Sequence, residues 1–201
     1  MIETPTITVI EGERFDGLMK ETHRKVFNMA YRLAGNRADA EDLTQEAYFR
    51  AYRSFSDYEG DRPFENWIFR IVTRLFLDML RSRRRRIKYV SYDTPLQGGL
   101  DDNLFFDKAD ESANPEERLV KETIGEDLQR ALGALNPEQR ILVALADIEG
   151  LPYKEIADMM GKPVGTVRSR LHRTHKTLRV KLERLRREKE IGGRSTIGFA
   201  R

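Results

Sequence analysis

The chain has 201 residues, 39% hydrophobic and 34% charged, with a formal net charge of +3. That length holds one medium domain or two small ones that each bury a core, and no apolar run approaches the roughly 20 residues that cross a bilayer. With no cysteine and three histidines, disulfides, thiolate metal sites and thiol nucleophiles are excluded within this chain, and little is left for a metal centre.

The first residues lack a basic segment followed by a hydrophobic core, so no secretory leader is expected and the cytoplasm is the expected compartment. From Phe15 to Ala34, the residues Phe15, Leu18, Met19, Val26, Phe27, Ala30, Leu33 and Ala34 follow helical spacing, and Gly35-Asn36 ends the run. A second helix is predicted over Ala38 to Phe55, with Ala40, Leu43, Ala47, Ala51 and Phe55 on its buried stripe. Asp39, Asp42 and Glu46 stand at i, i+3 and i+7 on this helix, so with Glu41 and Gln45 they make one acidic patch. Two readings are open for it: a solvated face, or a docking surface for a basic partner. A metal is disfavoured, because helical carboxylate sites recruit a Glu-x-x-His pair from neighbouring helices and this sequence has none.

After a turn at 57–62, Pro63 suits a first helical turn and opens a third helix, FENWIFRIVTRLFLDMLRSRRRR. Phe64, Trp67, Phe69 and Phe76 interleave there with Arg70, Arg74 and the cluster Arg81, Arg83, Arg84, Arg85 and Arg86. Rings at this spacing fill a core in an ordinary helix. Alternating with arginines, they also suit a single-strand binder, since rings stack on unpaired bases while cations neutralise phosphates.

Residues 89–114 lose periodicity and carry Pro95, Gly98, Gly99 and a cluster of aspartates, which predicts a flexible acidic linker. No strand or hairpin signal and no tandem repeat is present. The expected fold is therefore all-α: two small helical domains, 1–88 and 115–190, joined by the linker and followed by a tail, 191–201, with the composition of disorder. Pro115 restarts helix, with Leu119, Ile124, Leu128, Ala131, Leu132 and Leu135 as its core stripe. Asn136-Pro137 caps the next helix, Pro137 to Ile148, and Gly150 to Pro152 breaks the chain after it.

Tyr153 to Lys176 then reads as a short helix, a tight turn and a basic helix, the grammar of a helix-turn-helix. Ile156, Ala157 and Met160 on the first helix, and Val167, Leu171 and Leu178 on the second, would share one apolar seam. Gly161 suits a positive φ after a helix end, Pro163 stiffens the turn, and Thr166 is the predicted N-cap of the following helix. Arg168, Ser169, His172, Arg173 and Lys176 would project opposite the seam, either as a solvated basic face or as a DNA-contacting one. From Lys162 to Arg187 the cations stand against Glu183 alone, which favours a polyanionic partner.

Three blocks in register carry a resemblance: GNRADAEDLTQEAYFRAYRSF, FENWIFRIVTRLFLDMLRSRRRR and LNPEQRILVALADIEGLPYKEIADMMGKPVGTVRSRLHR. In order and spacing they resemble the extracytoplasmic-function class of bacterial sigma factors, leaving only the linker and the two tails outside. The resemblance implies sigma domain two at the N-terminal end, domain four at the C-terminal end, and no domain three. In that family the acidic helix docks on the beta-prime clamp helices of RNA polymerase, which implies contact roles for Asp39, Asp42, Gln45 and Glu46. The third helix and the loop before it bind the non-template strand of the minus-ten element. This implies DNA roles for Phe64, Trp67, Arg70, Arg74, Arg81, Arg83, Arg84 and Arg85, with Trp67 also a core candidate. The basic helix enters the major groove at the minus-thirty-five element, implying base or phosphate contacts from Thr166, Arg168, Ser169, His172, Arg173 and Lys176, and the beta flap is an implied partner.

The family commonly has asparagine where Arg74 stands, in a pocket for a flipped base. Arginine is larger and accepts no hydrogen bond, so base preference there is expected to differ. The implied function is a dissociable specificity subunit that directs promoter recognition and melting for a stress or envelope regulon. It would catalyse no reaction, need no cofactor or metal, and have an anti-sigma factor as a candidate further partner. Asp101, Asp102 and Asp107 of the linker are expected to mimic nucleic-acid charge inside polymerase. The alternative is a stand-alone helix-turn-helix regulator whose N-terminal helices dimerise or bind a ligand. An enzyme acting on nucleic acid ranks third, for want of a metal cluster or a nucleophile-base pair.

Overall fold

A computed structural model describes residues 9–90 and 125–195. The chain divides into two compact units, Met1–Ala109 and Asp110–Arg201. Among the described residues there are helices and no strands, as expected for an all-α chain. Most of the predicted linker, the helix restart at 115–124 with Leu119 and Ile124, and residues 196–201 lie outside the described residues.

The N-terminal unit is a three-helix assembly of α1 (Val9–Ala34), α2 (Arg37–Arg53) and α3 (Phe64–Val90), each packed on the other two. Helix α1 begins before the predicted Phe15, and α3 reaches past the predicted domain end into the first two linker positions. Gly35 leaves α1 at φ 82°, a conformation cheap only for glycine, and Asn36 caps α2 by accepting the Asp39 backbone N–H. Helix α2 stops at Arg53, and Phe55 opens a separate 3-10 turn, Phe55–Asp57. Pro63 sits just before α3 rather than inside it, its carbonyl accepting from Asn66 and Trp67.

Apolar residues at helical spacing meet at the centre: Val26, Met29, Ala30 and Leu33 of α1, Ala40, Leu43, Ala47 and Ala51 of α2, and Ile68, Phe69, Val72 and Phe76 of α3. Each fully buried Phe, Leu, Ile or Val contributes about 1.5–3 kcal/mol by leaving water. One end is closed by rings, with Phe15 edge-on to Tyr48, Tyr52, Phe55 and Phe64. The Tyr48 hydroxyl meets Thr22 Oγ1 at 3.0 Å, and burial pushes its pKa up to about 12. Lys25 of α1 bridges to Glu65 of α3 at 2.8 Å, and its hydrogen bond holds the Glu65 carboxyl below the usual range.

The C-terminal unit contains α4 (Glu126–Gly133), α5 (Pro137–Val143) running into a π turn (Ala144–Ile148), α6 (Tyr153–Met160) and α7 (Val164–Ser195). Asn136 and Gln139 form a reciprocal capping box at the start of α5. Its core joins Ala131, Leu132 and Leu135 to Ile141, Leu142 and Leu145, and to Ile156, Ala157, Val167 and Leu171. A cation lies in this core. Arg140 is 3% exposed, and its guanidinium donates to the carbonyls of Leu132, Gly133 and Leu135. Burial draws its pKa down to about 9, still high enough to keep it charged at neutral pH, and three acceptors offset the desolvation.

The turn between α6 and α7 has Gly161 at φ 61°, as its position after a helix end predicts. Three sequence expectations shift by a residue or a turn. Met159 is buried while Met160 is only half-buried, and on α7 the buried stripe includes Thr174, with Leu178 half-buried one turn further on. Thr166 lies inside α7 rather than capping it: its N–H donates to the Pro163 carbonyl, so Pro163 already occupies the position before the helix. Helix α7 continues to Ser195, beyond the expected end near Lys189 and into the stretch predicted to be disordered.

Candidate polymerase and nucleic-acid interfaces

Of the four acidic-face candidates, the structure separates Asp39 from the others. Its side chain is 13% exposed and both carboxylate oxygens are engaged: Oδ1 accepts from Arg83 of α3, and Oδ2 accepts from Asn36 Nδ2 at 2.7 Å. Asp42 and Gln45 are exposed, and Glu46 accepts from Arg50 Nε at 2.7 Å along the helix. Phe49 shares their face, three residues after Glu46 and seven after Asp42, and it is 57% exposed. The Arg53 guanidinium stands 5.8 Å from its ring centroid. The sequence signal for it was available: Phe49 falls off the Ala40, Leu43, Ala47, Ala51 stripe, so a large ring there has to face water or a partner. Acid, amide and exposed ring together suit a helical partner with basic and apolar residues.

On α3 the rings divide by burial. Phe64 is 3% exposed, edge-on to Phe15 at 5.7 Å and to Tyr58 at 5.3 Å. It belongs to the core, which removes it from the strand-contact candidates. Phe69 and Phe76 are core as well. Trp67 is half-buried, with Tyr58 at 5.3 Å and Phe64 at 5.7 Å. Tyr58, in the segment read only as a turn, is also half-buried. Its hydroxyl donates to the Arg62 carbonyl at 2.7 Å, which closes the loop before α3, and burial raises its pKa.

The arginines of α3 are not equivalent. At about 100° per residue, Trp67, Arg70, Arg74, Arg81 and Arg85 fall within about 60° of one another. Arg74, Arg81, Arg84 and Arg85 are exposed and Arg70 is half-buried, with Arg81 paired to Asp78 at 2.7 Å. Arg83 points the other way. It stands three residues after Leu80 and seven after Phe76, continuing the buried stripe, and there it meets Asp39. Like Asp39, it is committed inside the unit.

On α7, Arg168, Ser169, His172, Arg173 and Lys176 are exposed opposite buried Val167, Leu171 and Thr174, the arrangement expected of a reading helix. Thr166 is half-buried, and its carbonyl accepts from Ser169 Oγ at 3.1 Å. Two basic side chains of α7 are used internally. Arg170 pairs with Glu138 of α5, which also takes Lys162 at 3.6 Å, and His175 Nε2 lies 2.8 Å from Asp147. Both pairs tie α7 to the α5 segment. Among the described residues no cluster of three or more His, Cys, Asp or Glu side chains is placed to hold a metal, and no helix is long and apolar enough to cross a membrane.

The two units match two family models, Sigma-70 region 2 over residues 18–86 and Sigma-70 region 4 over residues 125–178. The chain is 44% identical to the ECF RNA polymerase sigma factor SigE of Mycolicibacterium smegmatis, over 82% of this chain and 60% of that one, so it spans about three fifths of that relative's length. It is 31% identical to the ECF RNA polymerase sigma factor SigW of Bacillus subtilis, over 80% of this chain and 84% of that one. Among solved structures, it is similar to the sigma factor RpoE in complex with the anti-sigma factor NepR from Bartonella quintana. There the TM-score is 0.65 at 21% identity, covering 85% of this chain and 98% of that one. It is also similar to CnrH in complex with the cytosolic domain of CnrY, with a TM-score of 0.57 at 20% identity, covering 86% and 89%.

Proposed function

Because the chain belongs to the sigma-70 family and, within it, to the extracytoplasmic-function RNA polymerase sigma factors, we propose the following division of labour among its surfaces. The outward face of α2, with Asp42, Gln45, Glu46 and Phe49, docks on core polymerase at the beta-prime clamp helices. The outward stripe of α3, with Trp67, Arg70, Arg74, Arg81 and Arg85, together with Arg84 and Tyr58, holds the non-template strand of the minus-ten element. Arg168, Ser169, His172, Arg173 and Lys176 of α7 read the minus-thirty-five duplex, and the C-terminal unit meets the beta flap. The protein is a specificity subunit and not an enzyme. It works in the cytoplasm on a stress or envelope regulon, under an anti-sigma factor.

The observation that carries this reading is that the two cationic stripes differ in kind. The α3 stripe begins at half-buried rings, Trp67 and Tyr58, and rings recognise bases only when they are unstacked. The α7 stripe has arginine, serine, histidine and lysine, groups that donate to base edges and phosphates of closed duplex. One protein that binds opened strand and closed duplex at different surfaces shifts melting by differential affinity: duplex contacts fix register, and only the melted state gains the ring contacts. Both family models match in this order along the chain, which a stand-alone regulator has no need of. The test is transcription in vitro with purified core enzyme. The expected result is a one-to-one complex with core and initiation from a cognate promoter. A dimer that binds duplex alone and neither binds core nor supports initiation would overturn the reading.

A further inference from the structure

The geometry points to Asp39 and Arg83 as a positioning pair. Asp39 holds Arg83, and through it the end of α3, against the N-terminus of the docking helix, so that the neighbouring arginines face the opened strand from a fixed direction. Neither residue itself touches polymerase or DNA. This rests on the reading of α2 as docking helix and α3 as strand-binding helix.

Several observations support it. Among the α3 side chains described, 64–85, the inward stripe runs through the buried Phe76 and Leu80. Arg83 is the next residue on that stripe, about 180° from the side that carries Trp67, Arg74, Arg81 and Arg85. It spans 44 residues of sequence to reach Asp39. Asp39 is itself fixed before Arg83 arrives: its N–H donates to Asn36 Oδ1 and its Oδ2 accepts from Asn36 Nδ2. An anion at the third position of α2 also meets the positive end of the helix dipole. Asp39 thus presents one remaining oxygen in one direction, and a guanidinium held there has little rotamer freedom left. The pair is partly shielded, with side chains 34% and 13% exposed.

Asp39 lies one turn before Asp42, so this ion pair ties the docking face to the cationic end of α3. Asp39 and Arg83 act on strand capture through the placement of Arg81, Arg84 and Arg85.

The test is a double-mutant cycle in the full-length protein with core enzyme: Asp39→Asn, Arg83→Gln and both together, polar changes that remove the ion pair and leave the Asn36 cap in place. Core affinity and the fraction of open complex at saturating core are measured for each. A positioning pair predicts core affinity within about twofold of the parent for all three. Open complexes should fall about three- to tenfold in either single variant, and no further in the double, because each change removes the same link. A merely stabilising role would lower the melting temperature and leave open-complex formation by the folded, core-bound protein unchanged. That outcome would overturn the proposal. So would losses that multiply in the double variant, or a tenfold drop in core affinity for Asp39→Asn, which would make Asp39 a docking residue. If the parent protein itself fails to bind core, the sigma reading falls. If the parent is active and the cycle is additive, only the pair falls.

Discussion

The two units hold their outward cations by different means. In the N-terminal unit the core is rich in rings, with Phe15 edge-on to four others, and two of the cluster's members, Tyr58 and Trp67, come partly to the surface beside the α3 arginines. On the proposed reading, the same aromatic assembly both builds the core and supplies the platform for bases. In the C-terminal unit the core is aliphatic around one buried guanidinium, and the reading helix is fixed by polar ties, Arg170 to Glu138 and His175 to Asp147. Its contact residues share no member with its core. The comparison teaches that the proposed strand-capturing surface is coupled to folding in one unit, whereas the proposed duplex-reading surface can be altered residue by residue in the other.

The largest expected effect breaks the first half of that statement. Phe64→Ala should destabilise the N-terminal unit by about 3–5 kcal/mol through the cavity it leaves among Phe15, Phe55 and Tyr58, seen as an early transition in thermal melting. A melting temperature like the parent's would show that the ring cluster is not core. Next comes Arg140→Ala, which strands three carbonyls at the end of α4. About 3 kcal/mol is expected, measured by denaturant unfolding of the C-terminal unit, with the N-terminal unit unaffected. Arg140→Lys should recover only part, because an ammonium cannot fork to the same acceptors.

Smaller effects sharpen the comparison. Trp67→Ala should cost about 1–3 kcal/mol in binding a single-stranded minus-ten oligonucleotide by the holoenzyme, with core affinity retained; an equal loss on closed duplex would contradict a stacking role. Arg173→Ala should cost about 1–3 kcal/mol in duplex binding and relax base preference. Arg170→Ala, one helical turn away on the inward side, should instead cost at most about 1 kcal/mol of stability, as exposed ion pairs do, and leave base preference intact. A promoter-binding titration across sequences and salt concentrations separates these two, since loss of a base contact relaxes specificity and loss of a phosphate contact lowers the salt slope, whereas loss of an internal ion pair does neither.

The sequence carried the helices because apolar spacing in α1, α2, α3 and α5 is clear and the turns are marked by Gly35, Asn136-Pro137 and Gly161. What it could not carry was direction in space. Phe64 and Trp67 stand three apart on one helix, and nothing local says that Phe64 turns to Phe15 while Trp67 stays at the surface. Asp39 and Asp42 are likewise indistinguishable by composition, and it is the Asn36 cap together with the arrival of Arg83 that separates them. Phe49 was legible from its place off the apolar stripe. Thr166 misled because a good capping residue is irrelevant once Pro163 has set the helix start.

Arg140 has one more consequence, for the way the C-terminal unit opens. A charged group sealed beneath three carbonyls cannot be released one bond at a time, because freeing any acceptor leaves the cation underpaid in a dry setting. The end of α4 and the start of α5 are therefore expected to exchange their amide hydrogens together, as one cooperative block that hydrogen-exchange measurements would read as a shared opening free energy.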